Sequence, residues 1–243
     1  MLKRLILSAV ILVAVACPAF GAVAIIQHVS NHAYGNGATV ACTLSSTGAS
    51  RNIIVGAVSA SSGDSVLTVS GVADNQGNLY SLASGSRGTY TGNLHGSEIW
   101  HSLNATSGVT SITATFTGST TSYYKGLFCY EVSGTAVTFD TAGKVDAGTC
   151  SANLCTGASV STATSVGFVL GIIIVDPVDL TPAAANEFVS GGNIDSTGTV
   201  GATVVGGGAS CSLISASASA HLPSWHITSA TAPFTSSTSA YKQ

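Results

Sequence analysis

The sequence contains few charged residues and no cluster of basic ones. Lysine, arginine, aspartate and glutamate together make up 7% of the 243 residues, and the formal net charge at pH 7 is −3. Proteins that bind nucleic acids neutralise phosphates with clustered lysine and arginine side chains. The composition therefore argues against a nucleic-acid partner.

Sustained helical periodicity is also lacking. Short runs rich in valine, isoleucine, threonine and aromatic residues instead alternate with segments rich in glycine and serine. This pattern is typical of β-strands joined by turns. We predict an all-β protein, a single β-sandwich of about 12–13 short strands with jelly-roll or Greek-key-like connections.

Catalytic signatures are missing as well. The sequence has no Gly-x-Ser-x-Gly segment of the kind that presents a nucleophilic serine. Glu98 and His101 are three positions apart in a predicted strand, so side-chain alternation places them on opposite faces, where they cannot act as a pair. We therefore expect that the protein is not an enzyme.

The first 21 residues have the features of a cleaved signal peptide. Lys3 and Arg4 provide a positive amino-terminal region, residues 5–16 form an apolar segment, and small residues follow at 18–24. This order of segments is typical of secretory signal peptides. We predict a signal peptide over residues 1–21.

Cleavage after Gly21 or after Ala24 fits the small-residue pattern, whereas acylation of Cys17, as in a lipoprotein, fits its neighbours less well. Without the signal peptide, 5 basic and 10 acidic residues remain. No linker-like segment divides the rest of the chain, so we predict one domain over residues 22–243. We expect it to be secreted or at the cell surface, with no transmembrane anchor after cleavage.

The segment at residues 165–175 is the one around which we expect the fold to be organised. It carries no charge and is apolar on both faces, which predicts a central strand covered on both sides. One predicted face consists of Phe168, Leu170, Ile172 and Ile174, and the other of Val169, Ile173 and Val175.

Two oxygen-rich segments are candidate metal sites. Asp74 and Asn75 belong to a run of Asp, Asn, Gln and Gly between two predicted strands, and Asp176 and Asp179 follow the central strand. Turn chemistry explains the first segment and a solvated loop the second. Ca²⁺ binding at either segment is the alternative, although neither has the spacing of an EF-hand loop. Acid–base chemistry by Asp176 and Asp179 would be the basis of a hydrolase.

Aromatic side chains supply the candidate ligand-binding residues. Strand alternation places Trp100 on the same face as Glu98, and because Ile99 and Leu103 favour the core, this face is expected to point outward. An exposed ring beside a carboxylate suits stacking on a sugar. Trp225 is in a similar position near the carboxyl terminus. The tyrosines that would complete such a platform are Tyr80, Tyr90 and Tyr123.

Five cysteines lie beyond the signal peptide. In an exported protein they are expected to form disulfides, and an odd number leaves at least one outside an intramolecular pair. Cys150 and Cys155 flank a short polar loop, so we predict a disulfide between them. The sequence leaves the pairing among Cys42, Cys129 and Cys211 open, because pairing depends on Cα separation.

Four groups of residues carry a resemblance to a known class of domain. They occur in this order: Asn-Ile-Ile-Val-Gly at 52–56, Val-Ala-Asp-Asn-Gln-Gly-Asn-Leu-Tyr at 72–80, Ile-Trp at 99–100 with Asn-Ala-Thr-Ser-Gly at 104–108, and Tyr-Glu-Val-Ser-Gly at 130–134. The chain thus resembles secreted bacterial β-sandwich domains of the kind found in cell-surface proteins. The resemblance implies an extracellular sandwich and brings no catalytic residues with it.

These observations predict a non-catalytic extracellular module with a structural or adhesive role. Its partners would be other surface or matrix subunits, including further copies of itself, and no cofactor is expected. A carbohydrate-binding module that presents exposed aromatic residues to glycans is the alternative, and a carboxylate-dependent hydrolase is a third hypothesis.

Overall fold

The computed structural model describes residues 22–61, 65–92, 94–117, 122–134, 137–163, 167–175, 187–188, 207–215, 218–226 and 231–243. The predicted signal peptide, Asp176 and Asp179 lie outside these residues. Within them the chain forms strands and turns and no helix, which confirms the all-β prediction. No helix in the described ranges is therefore long and apolar enough to cross a membrane.

The described residues form eighteen strands, which we number in chain order. They are β1 (Ile25–Ala33), β2 (Thr39–Thr43), β3 (Arg51–Ser61), β4 (Thr68–Asp74), β5 (Ser81–Leu82), β6 (Gly88–Tyr90), β7 (His95–Ala105), β8 (Ser111–Thr117), β9 (Ser122–Val132), β10 (Thr138–Thr149), β11 (Leu154–Thr156), β12 (Val160–Ser161), β13 (Gly167–Val175), β14 (Glu187–Phe188), β15 (Gly207–Ser215), β16 (Ala220–His221), β17 (Pro223–His226) and β18 (Pro233–Lys242).

The strands pair into five antiparallel sheets. The largest has the order β1-β9-β3-β7-β5, with β6 also paired to β7, and a four-stranded sheet has the order β10-β18-β13-β15. Two three-stranded sheets have the orders β2-β8-β4 and β11-β17-β14, and β12 pairs with β16. None of these sheets closes on itself within the described residues.

Three apolar clusters show which sheets face each other. The first contains Ile54 of β3 and Ile172 of β13, so it lies between the six-stranded and four-stranded sheets. The second covers the other face of the four-stranded sheet and includes Trp225 of β17. The third joins the six-stranded sheet to the sheet β2-β8-β4 through residues such as Val55 and Ile112. Strands β3 and β13 are therefore buried on both faces.

Strand β13 confirms the prediction of a doubly covered central strand. It pairs with β15 on one side and with β18 on the other. Ile172 and Ile173 point to opposite faces, and both are fully buried, in the first and second clusters respectively. The two predicted faces of the strand are the faces observed.

The longest strand, β10, was absent from the sequence prediction. Its twelve residues include two glycines, one lysine and two aspartates, and they show no clear alternation of apolar and polar side chains. Among the described strands it pairs only with β18, at the edge of its sheet, and its register is interrupted twice. Edge strands commonly carry charges and bulges that limit pairing with other chains. Such residues interrupt the alternation of apolar and polar side chains from which a strand is predicted, so the sequence contains no clear signal for β10.

Candidate functional site

Glu98 on β7 is the centre of a buried polar cluster that includes Trp100, one of the predicted ligand-binding residues. The residue is only 2% exposed. One carboxylate oxygen accepts the backbone N–H of Val69 at 2.9 Å, and the other accepts Arg87 Nη2 at 2.9 Å and Trp100 Nε1 at 3.1 Å. The expectation that Glu98 points outward is wrong, because β4 and the third apolar cluster cover this face of β7.

Glu98 and Arg87 together close an edge of the sheet β2-β8-β4. Val69 lies on β4, an edge strand of that sheet. Glu98 accepts its N–H, and Arg87 Nη2 donates to its carbonyl oxygen at 3.3 Å. The two side chains therefore occupy the donor and acceptor positions that a neighbouring strand would take, which satisfies backbone groups that would otherwise be available for pairing.

The opposite edge of the same sheet is closed in a similar way by β1. The Gln27 side chain accepts the N–H of Ser45 and donates to its carbonyl oxygen, both at 2.9 Å, and Asn31 donates to the carbonyl oxygen of Ala41. Gln27 also donates to the buried carboxylate of Glu131 at 2.6 Å. Glu131 was not among the residues predicted from sequence, since one glutamate in an apolar strand gives no signal of its partners.

Trp100 and Tyr80 keep part of their surface exposed. Both rings pack against the third apolar cluster, and the Trp100 indole N–H is already used by Glu98. Trp225 is fully buried in the second cluster, so its ring offers no surface for stacking. The described residues thus do not unite Trp100 and Trp225 in one platform, since the two rings belong to different clusters. Glycan binding at Trp100 and Tyr80 stays a prediction.

Asp74 is held by the turn in which it lies. Its carboxylate accepts the N–H groups of Gln76 and Asn78, the Asn78 side-chain amide at 2.8 Å and the Tyr80 hydroxyl at 2.9 Å. Partial burial by itself raises the pKa of the Asp74 carboxyl, but these hydrogen bonds outweigh it and hold the pKa below its usual range. Burial and the nearby Asp74 charge raise the pKa of the Tyr80 hydroxyl.

Asn75 is also committed to protein groups. Its side-chain oxygen accepts the N–H groups of Thr110 and Ser111, and its amide donates to the carbonyl oxygen of Gly108. The oxygens of Asp74 and Asn75 thus face hydrogen-bond donors, whereas a Ca²⁺ ligand set requires oxygens that face a common cation. No group of three or more histidine, cysteine, aspartate or glutamate side chains in the described ranges is placed to hold a metal ion.

A cluster of hydroxyls around His221 was missed by sequence reasoning. The imidazole Nε2 lies 3.0 Å from Ser215 Oγ, 3.4 Å from Thr162 Oγ1 and 3.5 Å from Ser219 Oγ. His221 is 2% exposed, and burial lowers the pKa of its imidazole. Because Ser215 is equally buried, this hydrogen bond joins the ends of β15 and β16 and presents no hydroxyl at the surface.

Two disulfides tie the sheets and loops together. Cys150 and Cys155 are bridged, as predicted, with Cα atoms 4.3 Å apart. Cys42 and Cys129 form the second bridge, which joins β2 to β9 and therefore two different sheets. Cys211 is buried in β15 and belongs to neither disulfide. This pairing follows from the packing of β2 against β9, which the sequence does not encode locally.

Comparison with known proteins gives little further information. No protein-family model matches the chain, and no curated protein matches it. A solved structure from Eubacterium rectale, of a protein for which secretion has been inferred, aligns over 87% of this chain and 73% of its own, with 12% identity and a TM-score of 0.23. The STIV MCP aligns over 88% of this chain and 96% of its own, with 10% identity and a TM-score of 0.25.

At these TM-scores neither similarity establishes a shared fold or function. The structure itself establishes a β-rich antiparallel domain with two disulfides. The resemblance to secreted bacterial β-sandwich domains stays a prediction.

Proposed function

We propose that residues 22–243 form a secreted, non-catalytic β-sandwich module with a structural or adhesive role at the cell surface or in the extracellular matrix. In this proposal the six-stranded and four-stranded sheets are the two halves of the sandwich, with the first apolar cluster between them. The two disulfides fit this setting, because such bonds persist in oxidising compartments.

The proposal is supported chiefly by the bonding of the acidic side chains to other groups of the protein. Every aspartate and glutamate side chain that the structure describes accepts hydrogen bonds from protein groups. These residues are Asp74, Glu98, Glu131, Asp140 and Asp146. Catalytic carboxylates need a free oxygen within reach of substrate. These carboxylates instead join strands, loops and sheet edges, which is a structural use of the few charges that the chain has.

Asp140 and Asp146 illustrate this use on the edge strand β10. Asp140 accepts the N–H of Ala163 and pairs with Lys242 at 3.2 Å. Asp146 accepts the N–H of Thr89 on β6, which ties the four-stranded sheet to the six-stranded one. In this proposal the carboxylates hold the strands and sheets of the domain together. The partners of the protein would be neighbouring subunits or further copies of the chain.

Size-exclusion chromatography with light scattering, at low and at high salt, tests the structural role. Multimers of the secreted protein that persist at high salt would support it, since contacts between surfaces poor in charge are little screened. A monomer that binds members of a glycan array would favour the carbohydrate-binding alternative, for which the partly exposed Trp100 and Tyr80 are the candidate residues. Hydrolysis of a glycoside or ester panel that is lost in Asp176→Asn or Asp179→Asn, without loss of folding, would overturn the proposal and support the hydrolase hypothesis.

A further inference from the structure

The turn between β1 and β2 contains the one asparagine–glycine pair in the sequence, Asn36-Gly37. Both residues are exposed, and no atom lies within 4 Å of the position that a Cβ on Gly37 would occupy. The Asn36 side chain makes no hydrogen bond to the described residues. Nothing in the turn therefore holds the side-chain amide away from the backbone that follows it.

The other asparagines of the described ranges provide a contrast. Hydrogen bonds hold the side chains of Asn31, Asn52, Asn75 and Asn78. Asn104 and Asn153 are exposed like Asn36, but they are followed by Ala105 and Leu154 rather than by glycine. Asn36 alone among these combines an exposed side chain without a hydrogen bond and a glycine as the next residue.

The Lys125 ammonium is bonded to the backbone of this turn. It donates to the carbonyl oxygen of Gly35 at 2.7 Å and also to the carbonyl oxygen of Gly37. A positive charge bonded to both neighbours of Asn36 favours negative charge that develops in the turn. Two such charges are relevant: a deprotonated Gly37 amide nitrogen and a carboxylate at position 36.

We infer that Asn36 is a site of spontaneous deamidation that converts the β1–β2 turn from neutral to negatively charged. The backbone nitrogen of Gly37 attacks the side-chain carbonyl carbon of Asn36 and loses its proton, and ammonia leaves as a five-membered succinimide ring forms. Water then opens the ring at either carbonyl and gives aspartate or isoaspartate. The net change is one water consumed and one ammonia released, with no other reactant. Glycine permits this attack because it has no side chain to restrict the backbone.

Incubation of the folded full chain at neutral to mildly alkaline pH, followed by peptide mapping with mass spectrometry, tests the inference. We expect aspartate and isoaspartate to accumulate at position 36 before any change at Asn104, the matched internal control. A Gly37→Ala variant should slow the conversion several-fold. Its fold should persist, because the space around Gly37 is open and its backbone does not have a positive φ.

Three results would overturn the inference. Asn36 that stays intact in the folded chain, while it converts in the chain unfolded by urea, would show that the turn protects it. Equal conversion in the wild type and in Gly37→Ala would remove the role of the glycine. A lasting loss of ammonia without uptake of water would show that the side chain ends as an uncharged succinimide or as an amide with the Lys125 amine, so that the turn gains no negative charge.

Discussion

Asp74 shows how a residue that resembles a metal ligand in the sequence can instead stabilise a turn through hydrogen bonds. Four donors from Gln76, Asn78 and Tyr80 converge on its two oxygens. Such bonds favour the ionised form, which is why the pKa of the carboxyl lies below its usual range despite partial burial. An aspartate in an oxygen-rich segment suggested a bound cation, but N–H and O–H donors of the protein surround its carboxylate instead.

We predict that Asp74→Asn lowers the free energy of unfolding at neutral pH by about 1–3 kcal/mol, because an amide cannot accept all four hydrogen bonds of the carboxylate. Since the pKa in the folded state is depressed, this contribution is present above the unfolded pKa and is lost as the pH falls below about 4. Urea unfolding of both proteins across that range measures the difference.

Calcium provides the control for this prediction. Neither Ca²⁺ nor a chelator should shift the melting temperature of the wild-type protein, because the oxygens of Asp74 and Asn75 already face protein donors. A rise with Ca²⁺ that disappears in Asp74→Asn would show instead that this turn binds the cation.

Strands β13 and β3 pack closely against each other between the six-stranded and four-stranded sheets. A Cβ added to Gly56 on β3 would lie 2.5 Å from Cγ2 of Ile172 on β13. Ile172 therefore occupies the space that a side chain at position 56 would need. The glycine is required by this close approach of two strands, and its own backbone has no positive φ.

We predict that Ile172→Ala and Ile173→Ala each cost about 2–5 kcal/mol, because both isoleucines are fully buried on opposite faces of β13. Gly56→Ala should cost about 1–3 kcal/mol through overpacking. The double variant Gly56→Ala/Ile172→Ala should cost less than the sum of the two, since the added methyl fills part of the cavity. Thermal or urea unfolding gives all four values.

Leu79 supplies the matched control for these core substitutions. It is 91% exposed, so Leu79→Ala should change stability by less than about 0.5 kcal/mol. A silent Ile172→Ala or Ile173→Ala would contradict the double coverage of β13, and strict additivity in the double variant would contradict the contact with Gly56.

The two disulfides should differ in their effect on stability. The Cys42–Cys129 bridge closes a separation of 87 residues and the Cys150–Cys155 bridge a separation of 5. In the chain-entropy model these loops correspond to about 4–5 and about 2 kcal/mol respectively. We therefore predict that replacing Cys42 and Cys129 by alanine lowers stability more than replacing Cys150 and Cys155. Equal losses in urea unfolding would show that the longer bridge does not act through the unfolded chain.

At the scale of the whole molecule, the partly buried His101 and the buried His221 are expected to link stability to pH. Burial lowers the pKa of both His101 and His221. His101 packs against Phe139 and lies 3.3 Å, through Nδ1, from the Tyr241 hydroxyl. His221 is surrounded by hydroxyls at the end of β15. The two residues belong to different parts of the fold, so their effects should be independent.

We predict that the free energy of unfolding decreases as the pH falls below about 6.5, because the unfolded chain then binds protons that the folded chain takes up only at lower pH. His101→Phe, which keeps an aromatic ring against Phe139, should reduce this decrease. Urea unfolding at neutral and mildly acidic pH measures it in both proteins. An unchanged pH dependence in the variant would exclude His101 as a contributor.

The sequence by itself determined the features that depend on local pattern. β-Branched runs and turn residues predicted the all-β class, and the uninterrupted apolar run at residues 165–175 predicted a strand covered on both faces. The Cys150–Cys155 bridge was predictable for the same reason, since its partners are five residues apart. In each case neighbouring residues alone carry the physical information.

The tertiary structure decided which distant segments meet. Only the docking of β4 over β7 converts Glu98 from an expected surface residue into a buried partner of Val69 and Arg87. Likewise, only the packing of β2 against β9 selects Cys129 as the partner of Cys42. These pairings join residues far apart in the chain, and their energies depend on burial and on converging donors, neither of which exists until the sheets have assembled.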